Sequence, residues 1–449
     1  MAIPTDDVYY VDSNQDIVIE PPNGGIDTVH ASVTYKLPAN VEHLVLLTPP
    51  LPSRGIDGTG NKLANKIEGN SGRNVLRGLD GNDTLLGNDG NDELDGGTGD
   101  DVMLGGDGND TYIVDSSFDL VDEVGFDGVD TVLASVTFVL PTTDVEHLQL
   151  TGEASIDGSG NWLPNTITGN SGNNRLNGYA AADTMIGGAG DDTYVVSDAG
   201  DVVVELDGQG TDEVEAGLDH ALPDHVENLT LLGAGNFNGT GNALGNTLSG
   251  NGSDNLLSGL DGDDTLKGWS GTDTLQGGNG SDTLEGGNGT DTLQGDTGSD
   301  TLHGGDEVDR LRGHDPSAGD DLVEDRYVFD SALGVAVGGV SPTQDWIDDP
   351  VFLPGSEGAD DQILLDSSIF VIPGAALGAL VDGVSYFEGW GLDGNGIAAA
   401  PGIYNNTATG ELRYNPTAGV AGDSVVFAIV LTGVAGGSDI LSGQELWLV

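Results

Sequence analysis

Hydrophobic residues recur through much of the chain at intervals of nine, which is neither a helical period nor a simple alternation. Between Gly259 and Arg312 the sequence reads GLDGDDTLK, GWSGTDTLQ, GGNGSDTLE and onward, with an apolar residue at the eighth place of each block. The apolar residue is the middle one of the last three residues of the block, an arrangement typical of a short strand whose central side chain points inward. The first six residues are rich in glycine, which reaches the positive φ angles of tight turns. The pattern predicts three-residue strands joined by six-residue turns.

The nonapeptides lie within longer repeats. The motif V-E-H-L or V-E-N-L occurs at residues 41–44, 145–148 and 226–229. The first long repeat carries four nonapeptides, the second two and the third six. Because the copies differ by whole pairs, we expect two nonapeptides to form one coil of a solenoid, an architecture that tolerates whole-coil insertions.

Composition excludes several classes of protein. The 449 residues include 75 glycines and only 5% aromatic residues, which disfavours a large helical core. Asp and Glu total 75 against 12 Lys and Arg, a formal charge of −63, which repels phosphate groups and anionic lipid. We therefore expect no nucleic-acid partner. We also expect no membrane insertion, because the longest apolar stretch, residues 425–434, is too short to span a bilayer.

Twelve nonapeptides keep an aspartate at the sixth place, two residues before the apolar position. These are Asp83, Asp92, Asp101, Asp110, Asp183, Asp192, Asp264, Asp273, Asp282, Asp291, Asp300 and Asp309. This arrangement closely resembles the RTX family, the hemolysin-type calcium-binding repeats whose nonapeptide is G-G-x-G-x-D-x-U-x. The resemblance implies an all-β fold, a parallel β-roll, with Ca²⁺ bound in its turns. It also implies export by type I secretion.

The spacing itself indicates why cations are needed. If two nonapeptides close a coil, Asp264, Asp282 and Asp300 stack on one edge, at the strand spacing of about 4.8 Å. Two carboxylates at that distance repel each other by roughly 3 to 4 kcal/mol at an effective dielectric constant of about 20. Ca²⁺ suits a turn of carboxylate and carbonyl oxygens better than Mg²⁺, which demands strict octahedral geometry. We predict multiple Ca²⁺ sites, completed by glycine carbonyls, at the pairs Asp83/Asp101, Asp92/Asp110, Asp264/Asp282, Asp273/Asp291, Asp282/Asp300 and Asp291/Asp309.

Other coils depart from the nonapeptide pattern. Asn65, Asn165 and Asn246 stand where the aspartate would be, and we expect these coils to bind calcium weakly or not at all. Asp130 lies in a degenerate match, GFDGVDTVL, and Asp27 and Asp212 are its counterparts in the other long repeats. Whether these three aspartates bind calcium is left open.

The repeats suggest four regions. Residues 1–113 form the first long repeat, 114–195 the second and 196–313 the third, with the β-roll running from near residue 8 to about 313. At residue 314 the pattern changes to aromatic and aliphatic strands, for which we predict an antiparallel β cap. Residues 314–449 also resemble the C-terminal end of RTX proteins, which implies an uncleaved type I secretion signal. The N-terminus has no Sec-type signal pattern.

No catalytic motif is evident. None of the seven histidines lies in H-E-x-x-H, and G-x-S-x-G does not occur, so neither an RTX metalloprotease nor an RTX lipase is indicated. We predict that the chain is not an enzyme.

The favoured function is that of an extracellular, cell-surface protein of a Gram-negative bacterium, which self-associates into a surface layer (S-layer), filament or matrix. The alternatives are a calcium-dependent adhesin or carbohydrate-binding module, for which cell-surface polysaccharide would be the partner, and an accessory part of an extracellular enzyme. The type I secretion machinery is an implied partner in each case.

Overall fold

The structure is a computed structural model of the whole chain. It describes residues 5–48, 55–123, 128–142 and 144–313, and the backbone of eight further strands between residues 326 and 448. All regular secondary structure in these residues is β-strand. No helix in this described part has the length and apolarity needed to cross a membrane.

The chain divides into two compact units, Met1–Glu213 and Val214–Val449. The strands of the first unit are β1 Val8–Val11, β2 Thr28–Ala31, β3 Tyr35–Lys36, β4 His43–Leu46, β5 Gly58–Thr59, β6 Lys66–Glu68, β7 Val75–Asp80, β8 Thr84–Asp89, β9 Glu93–Thr98, β10 Val102–Asp107, β11 Thr111–Val114, β12 Leu120–Asp122, β13 Thr131–Ala134, β14 Phe138–Val139, β15 His147–Leu150, β16 Gly158–Ser159, β17 Thr166–Thr168, β18 Arg175–Asn177, β19 Thr184–Ile186, β20 Thr193–Val196 and β21 Val202–Val204.

The remaining strands are β22 Glu213–Ala216, which begins at the end of the first unit, then β23 His220–Ala221, β24 Asn228–Leu231, β25 Gly239–Thr240, β26 Thr247–Ser249, β27 Leu256–Asp261, β28 Thr265–Ser270, β29 Thr274–Asn279, β30 Thr283–Asn288, β31 Thr292–Thr297, β32 Thr301–Asp306, β33 Arg310–Arg312, β34 Arg326–Phe329, β35 Trp346–Ile347, β36 Gln362–Leu365, β37 Tyr386–Phe387, β38 Gly402–Asn406, β39 Glu411–Asn415, β40 Val425–Phe427 and β41 Leu446–Leu448.

In the first unit, β1 pairs with β2. From β2 onward, successive strands along the chain join different sheets, and the neighbours in a sheet are strands two apart along the chain. One sheet has the order β1-β2-β4-β6-β8-β10-β12, and another runs from β3 through the odd-numbered strands to β21. All these pairs are parallel. In the pair β8 and β10, Leu85 lies opposite Met103, an offset of one coil of two nonapeptides.

The second unit repeats this arrangement. β24-β26-β28-β30-β32-β34-β36-β41 are neighbours in one sheet, and β23-β25-β27-β29-β31-β33-β35 are neighbours in another. Leu266 pairs with Leu284, and Leu284 pairs with Leu302. The predicted fold, an all-β parallel solenoid of the β-roll kind, is confirmed.

The eighth-place residues form the hydrophobic core. Leu85, Leu94, Met103, Leu266 and Leu284 are all 0% exposed. Each side chain stacks on its counterpart one coil away, so every added coil extends two columns of packed side chains. Burial of this apolar column contributes roughly 2 kcal/mol for each side chain, which favours growth by whole coils.

The strands of the nonapeptide runs are longer than the sequence predicted. β30 spans six residues, including the two glycines that open the next nonapeptide, and Gly287 still pairs in register with Trp269 and Gly305. The ladder continues because the second residue of the block takes a positive φ, +108° in Gly287. The predicted division into three-residue strands and six-residue turns was therefore wrong for these coils.

The region after residue 313 contains mixed pairing. β38, β39 and β40 are antiparallel neighbours, as predicted for the cap, whereas β34, β36 and β41 pair in parallel. The other residues of the predicted cap and secretion signal lie outside the described residues. The four repeat-based region boundaries stay a prediction.

Candidate metal centre

The sixth-place aspartates form hydrogen-bonded ladders. The main-chain N–H of Asp264 donates to Oδ1 of Asp282 at 2.8 Å, and the N–H of Asp282 donates to Oδ1 of Asp300 at 2.9 Å. On the other edge, Asp273 and Asp291 donate in the same way to Asp291 and Asp309. The structure thus brings together the residues that the spacing predicted to stack. Main-chain donors offset part of the charge repulsion.

The same contact recurs at each predicted site residue. Every one of the twelve aspartates accepts on Oδ1 an N–H from the residue one coil before it: Asp83, Asp92, Asp101, Asp110, Asp183, Asp192, Asp264, Asp273, Asp282, Asp291, Asp300 and Asp309. All twelve are at most 2% exposed. One carboxylate oxygen of each residue is therefore satisfied by the fold itself.

The second oxygen has a different environment. Among the described residues, Oδ2 is buried without a hydrogen-bond partner in Asp83, Asp92, Asp101, Asp110, Asp183, Asp192, Asp264, Asp273, Asp282 and Asp291. A buried polar atom without a partner costs about 1–3 kcal/mol, and more when it is charged. This regular row of buried oxygens is suited to a cation, whose charge would satisfy them.

Each Oδ2 faces a cradle formed by glycine backbone. A Cβ atom placed on Gly286 would lie 2.5 Å from Oδ2 of Asp291 and 2.6 Å from the carbonyl oxygen of Gly304. The same pair of oxygens, from the sixth-place aspartate and the first glycine of the next coil, lies beside Gly259, Gly268, Gly277 and Gly295. A side chain at these first places would occupy the point where the oxygens converge, which explains why the first place is glycine.

Burial also changes the acidity of the ladder. Burial raises the pKa of Asp92, Asp101 and Asp282 to about 7, although a main-chain hydrogen bond to each lowers it in part. Burial likewise raises the pKa of Asp264 and Asp291 to about 6. The ionised ladder is thus destabilised near neutral pH unless a cation is bound.

The donor set fits Ca²⁺. Carboxylate Oδ2 atoms and glycine carbonyls are hard oxygen ligands, and several of them in a flexible turn match the coordination that Ca²⁺ prefers. The aspartates would hold the ion, the glycine carbonyls would add neutral ligands, and the ion would supply the charge that balances successive carboxylates. The assignment of the twelve aspartates as metal ligands stays a prediction.

The asparagine coils begin the ladders. The N–H of Asn246 donates to Oδ1 of Asp264, while its own Nδ2 donates to the carbonyls of Val226 and Glu227 on the coil before. Its Oδ1 accepts the N–H of Asn242. Asn65 and Asn165 make the same contacts in the first unit. Both polar atoms of the amide are satisfied within the protein, in keeping with the expectation of weak or absent calcium binding.

Two ladder residues were missed from the sequence. The N–H of Asp101 donates to Oδ1 of Asp119 at 3.0 Å, and the N–H of Asp183 donates to Oδ1 of Asp201 at 3.1 Å. Oδ2 of Asp119 in turn accepts the N–H groups of Asp115 and Ser116. At both ladder ends, the two carboxylate oxygens of the aspartate therefore accept main-chain hydrogen bonds. The signal that could have found them is their distance of one coil from the preceding aspartate.

The fold and its turns define a class of protein: a parallel β-solenoid lined by ladders of buried carboxylates beside glycine carbonyls. The family model of the RTX calcium-binding nonapeptide repeat matches residues 59–94, 78–112, 86–121, 159–194, 240–275, 249–284 and 285–315. The chain thus carries RTX calcium-binding repeats in several copies, and the resemblance seen in the sequence is confirmed.

A curated relative matches a small part of the chain. The endo-1,3-1,4-beta-glycanase ExsH of Rhizobium meliloti (strain 1021) is 36% identical over 86 residues. The match covers 19% of this chain and 18% of the relative. The similarity is therefore confined to a segment.

Proposed function

We propose that this chain is a secreted, non-enzymatic calcium-binding protein that folds on Ca²⁺ after export by a type I secretion system. The observation that carries the proposal is the row of buried Oδ2 atoms facing glycine carbonyls. In a cytosol with little free calcium, the net charge of −63 favours an unfolded chain that suits a secretion channel. Outside the cell, sites with dissociation constants of roughly 10⁻⁴ to 10⁻³ M fill, and binding stabilises the coils.

A calcium titration followed by far-UV circular dichroism tests this proposal. The metal-free protein should gain β signal as calcium is added. Replacing Asp282 and Asp291 together by Ala should raise the calcium midpoint, because each belongs to two of the predicted pairs. Full β signal in the metal-free protein, or an unchanged midpoint in the double variant, would defeat the proposal. The control is the pair Asp224→Ala and Asp306→Ala, two exposed residues outside the ladders.

We propose further that the folded protein has a structural role, as a surface layer, filament or matrix at the cell surface. Regular rows of polar side chains on the outer faces support this. Nδ2 of Asn279 donates to Oδ1 of Asp261 one coil away, at 2.6 Å, and Nδ2 of Asn288 donates to Oγ of Ser270 at 3.2 Å. A repetitive acidic surface offers bridging positions for further Ca²⁺ between copies. Light scattering and electron microscopy should show assemblies with calcium that disperse in EGTA, and a monomer in both conditions would refute this role.

A second candidate is suggested by the segment shared with the glycanase. In this alternative the chain is a carbohydrate-binding adhesin or an accessory part of an extracellular enzyme, and a 1,3-1,4-β-glycan or a cell-surface polysaccharide is its partner. Affinity electrophoresis through a mixed-linkage β-glucan gel, with and without calcium, tests it. Calcium-dependent retardation would favour this candidate over a purely structural role, and unaltered migration would remove it.

A further inference from the structure

Three clusters of acidic residues include carboxylates that the predicted aspartate pairs do not use. They are Asp7, Glu20 and Asp27; Asp110, Glu123 and Asp130; and Asp192, Glu205 and Asp212. Within each cluster the carboxylate atoms lie within 4.8 Å of one another. The spacing along the chain is identical in all three, and all three lie in the first unit. Asp110 and Asp192 are also ladder residues, whereas the glutamates were not singled out from the sequence.

The glutamates of the second and third clusters stand where a nonapeptide coil would have its first glycine. In the pairing of β10 with β12, Leu104 lies opposite Asp122, so the next residue, Glu123, falls beside Gly105. In the same way, the pairing of β19 with β21 brings Glu205 beside Gly187. The glycine carbonyl that faces the other aspartates is thus accompanied here by a carboxylate.

A tyrosine replaces the usual aliphatic core residue at the second and third clusters. The hydroxyl of Tyr112 donates to a carboxylate oxygen of Glu123, and the hydroxyl of Tyr194 donates to Glu205. Both rings are fully buried. The same contact joins Tyr9 to Glu20 in the first long repeat. The eighth place is therefore occupied by the residue type that can fill the core and still reach a glutamate in the turn.

The unpartnered ladder oxygens point into these clusters. Oδ2 of Asp27, Asp110 and Asp192 is buried without a hydrogen-bond partner, and these residues are 0%, 1% and 1% exposed. A Cβ atom on Gly187 would collide with Oδ2 of Asp192, with Oε1 of Glu205 and with the hydroxyl of Tyr194, so these three oxygens converge on one point.

The first cluster shows the same convergence. A Cβ atom on Gly24 would lie 2.6 Å from Oε2 of Glu20 and 3.2 Å from Oδ2 of Asp27. The convergent oxygens therefore recur in separate long repeats.

The neighbouring ladder ends show that this charge is not required by the fold. At Asp119 and Asp201 both carboxylate oxygens accept main-chain N–H groups, which satisfies the end of the ladder without a cation. At Asp110 only Oδ1 accepts an N–H, and two further carboxylates are brought close to the other oxygen. Up to three negative charges in a buried volume are strongly unfavourable unless a cation balances them.

We propose that these clusters are three cation sites of a second kind, specific for a hard divalent ion such as Ca²⁺ and built mainly from side-chain carboxylates. The second and third sites lie where a nonapeptide coil meets the longer coil that follows it, and the first lies at the corresponding place in the first long repeat. The tyrosine holds the glutamate through its hydroxyl and does not ligate the ion. More charged ligands than in the glycine cradles should give these sites the tighter binding, so they fill first.

The buried tyrosines allow a direct test on the full-length protein. Tb³⁺ replaces Ca²⁺ in oxygen sites and emits when a nearby tyrosine ring transfers energy to it. Excitation of the protein should give Tb³⁺ emission at the lowest Tb³⁺ additions, and Ca²⁺ should compete it away. The variant Glu123→Gln with Glu205→Gln should lose most of this emission, and native mass spectrometry should find two fewer Ca²⁺ ions per chain.

Two control variants make the outcomes decisive. Tyr112→Phe with Tyr194→Phe should lose most of the emission but keep the number of bound Ca²⁺ ions. This variant provides the test if the glutamine variant does not fold. Glu153→Gln with Asp224→Asn, at exposed positions outside the ladders, should change neither. Unchanged emission in the Phe variant, or an unchanged ion count in the glutamine variant, would overturn the proposal. Each cluster would then be a hydrogen-bonded Tyr–Glu pair that binds no ion. Persistent binding of the remaining ions would show that the glycine cradles still function.

Discussion

Oδ2 of Asp291 and the carbonyl oxygen of Gly304 converge on one point beside the Cα atom of Gly286. The two residues come from successive coils, so the point is a junction between coils. An ion there would bind both coils at once, which couples metal binding to the stacking that buries the leucine columns. We therefore expect the calcium dependence of folding to depend on carboxylate and carbonyl oxygens of the turns, such as these two.

Gly286→Ala should abolish binding at this junction. A methyl group would lie 2.5 Å from Oδ2 of Asp291 and 2.6 Å from the Gly304 carbonyl, distances that real Cβ atoms do not tolerate. We expect the variant to bind fewer Ca²⁺ ions, measured by isothermal titration calorimetry, and to require more calcium for folding.

Gly252→Ala is the matched control. A Cβ atom on Gly252 would meet nothing within 4 Å, and neither glycine has a positive φ. This substitution should leave the calcium stoichiometry unchanged. An equal loss in both variants would indicate that the cradle is not the binding point.

Asp282→Asn and Asp282→Ala should differ because the two oxygens of Asp282 have different tasks. Asn keeps an Oδ1 acceptor for the N–H of Asp264 and places Nδ2 on the side where the carbonyl of Gly295 lies. The Asn variant should therefore stabilise the metal-free protein and weaken calcium binding. Ala leaves that N–H unsatisfied and should cost about 1–3 kcal/mol of unfolding free energy. Urea unfolding at limiting and at saturating calcium measures both effects. Equal stability of the two variants at limiting calcium would contradict this division of tasks.

Acid should partly replace calcium. The folded-state pKa of Asp92, Asp101 and Asp282 is about 7, above the value of about 3.9 for an unfolded chain. Between these values the folded protein binds more protons than the unfolded chain, so its stability falls as the pH rises from about 4 to about 7. Without calcium, the protein should therefore show more β signal in far-UV circular dichroism at about pH 5 than at about pH 7.5.

Saturating calcium should reverse this dependence. A bound cation holds the carboxylates ionised, so acidification must displace the ion and should destabilise the calcium-loaded protein. A metal-free protein whose stability rises with pH across this window would show that the buried carboxylates are not a destabilising charge.

Leu260→Gly should stabilise the protein. Leu260 stands at the second place of its nonapeptide with φ +82°, where an L side chain is strained by about 1–2 kcal/mol, and glycine's own entropic cost offsets part of the gain. A net gain of up to about 1 kcal/mol is expected in urea unfolding. Leu256, which is similarly exposed but has no positive φ, gives the control, because Leu256→Gly should destabilise its strand. A loss of stability in both would remove the strain argument.

Much of the fold could be read from the sequence. The nine-residue period predicted the two-block coil, the inward columns through Leu266 and Leu284, and the stacking of Asp264 on Asp282, because each of these follows from a short pattern repeated at constant spacing. The parallel strand direction followed from the resemblance to RTX repeats. Strand length was misjudged, since Gly287 continues the ladder at a backbone angle that the pattern alone does not reveal.

What the amino-acid sequence determined by itself is therefore the coil, its core and the position of its aspartates, all of them local and periodic properties. Only the tertiary structure decided which oxygen of Asp291 is satisfied by main chain and which faces the cradle. It alone brought Glu123 and Tyr112 to Asp110. Those contacts depend on how a longer, irregular coil closes back onto a regular one, and that closure is set by packing in three dimensions rather than by any repeated spacing.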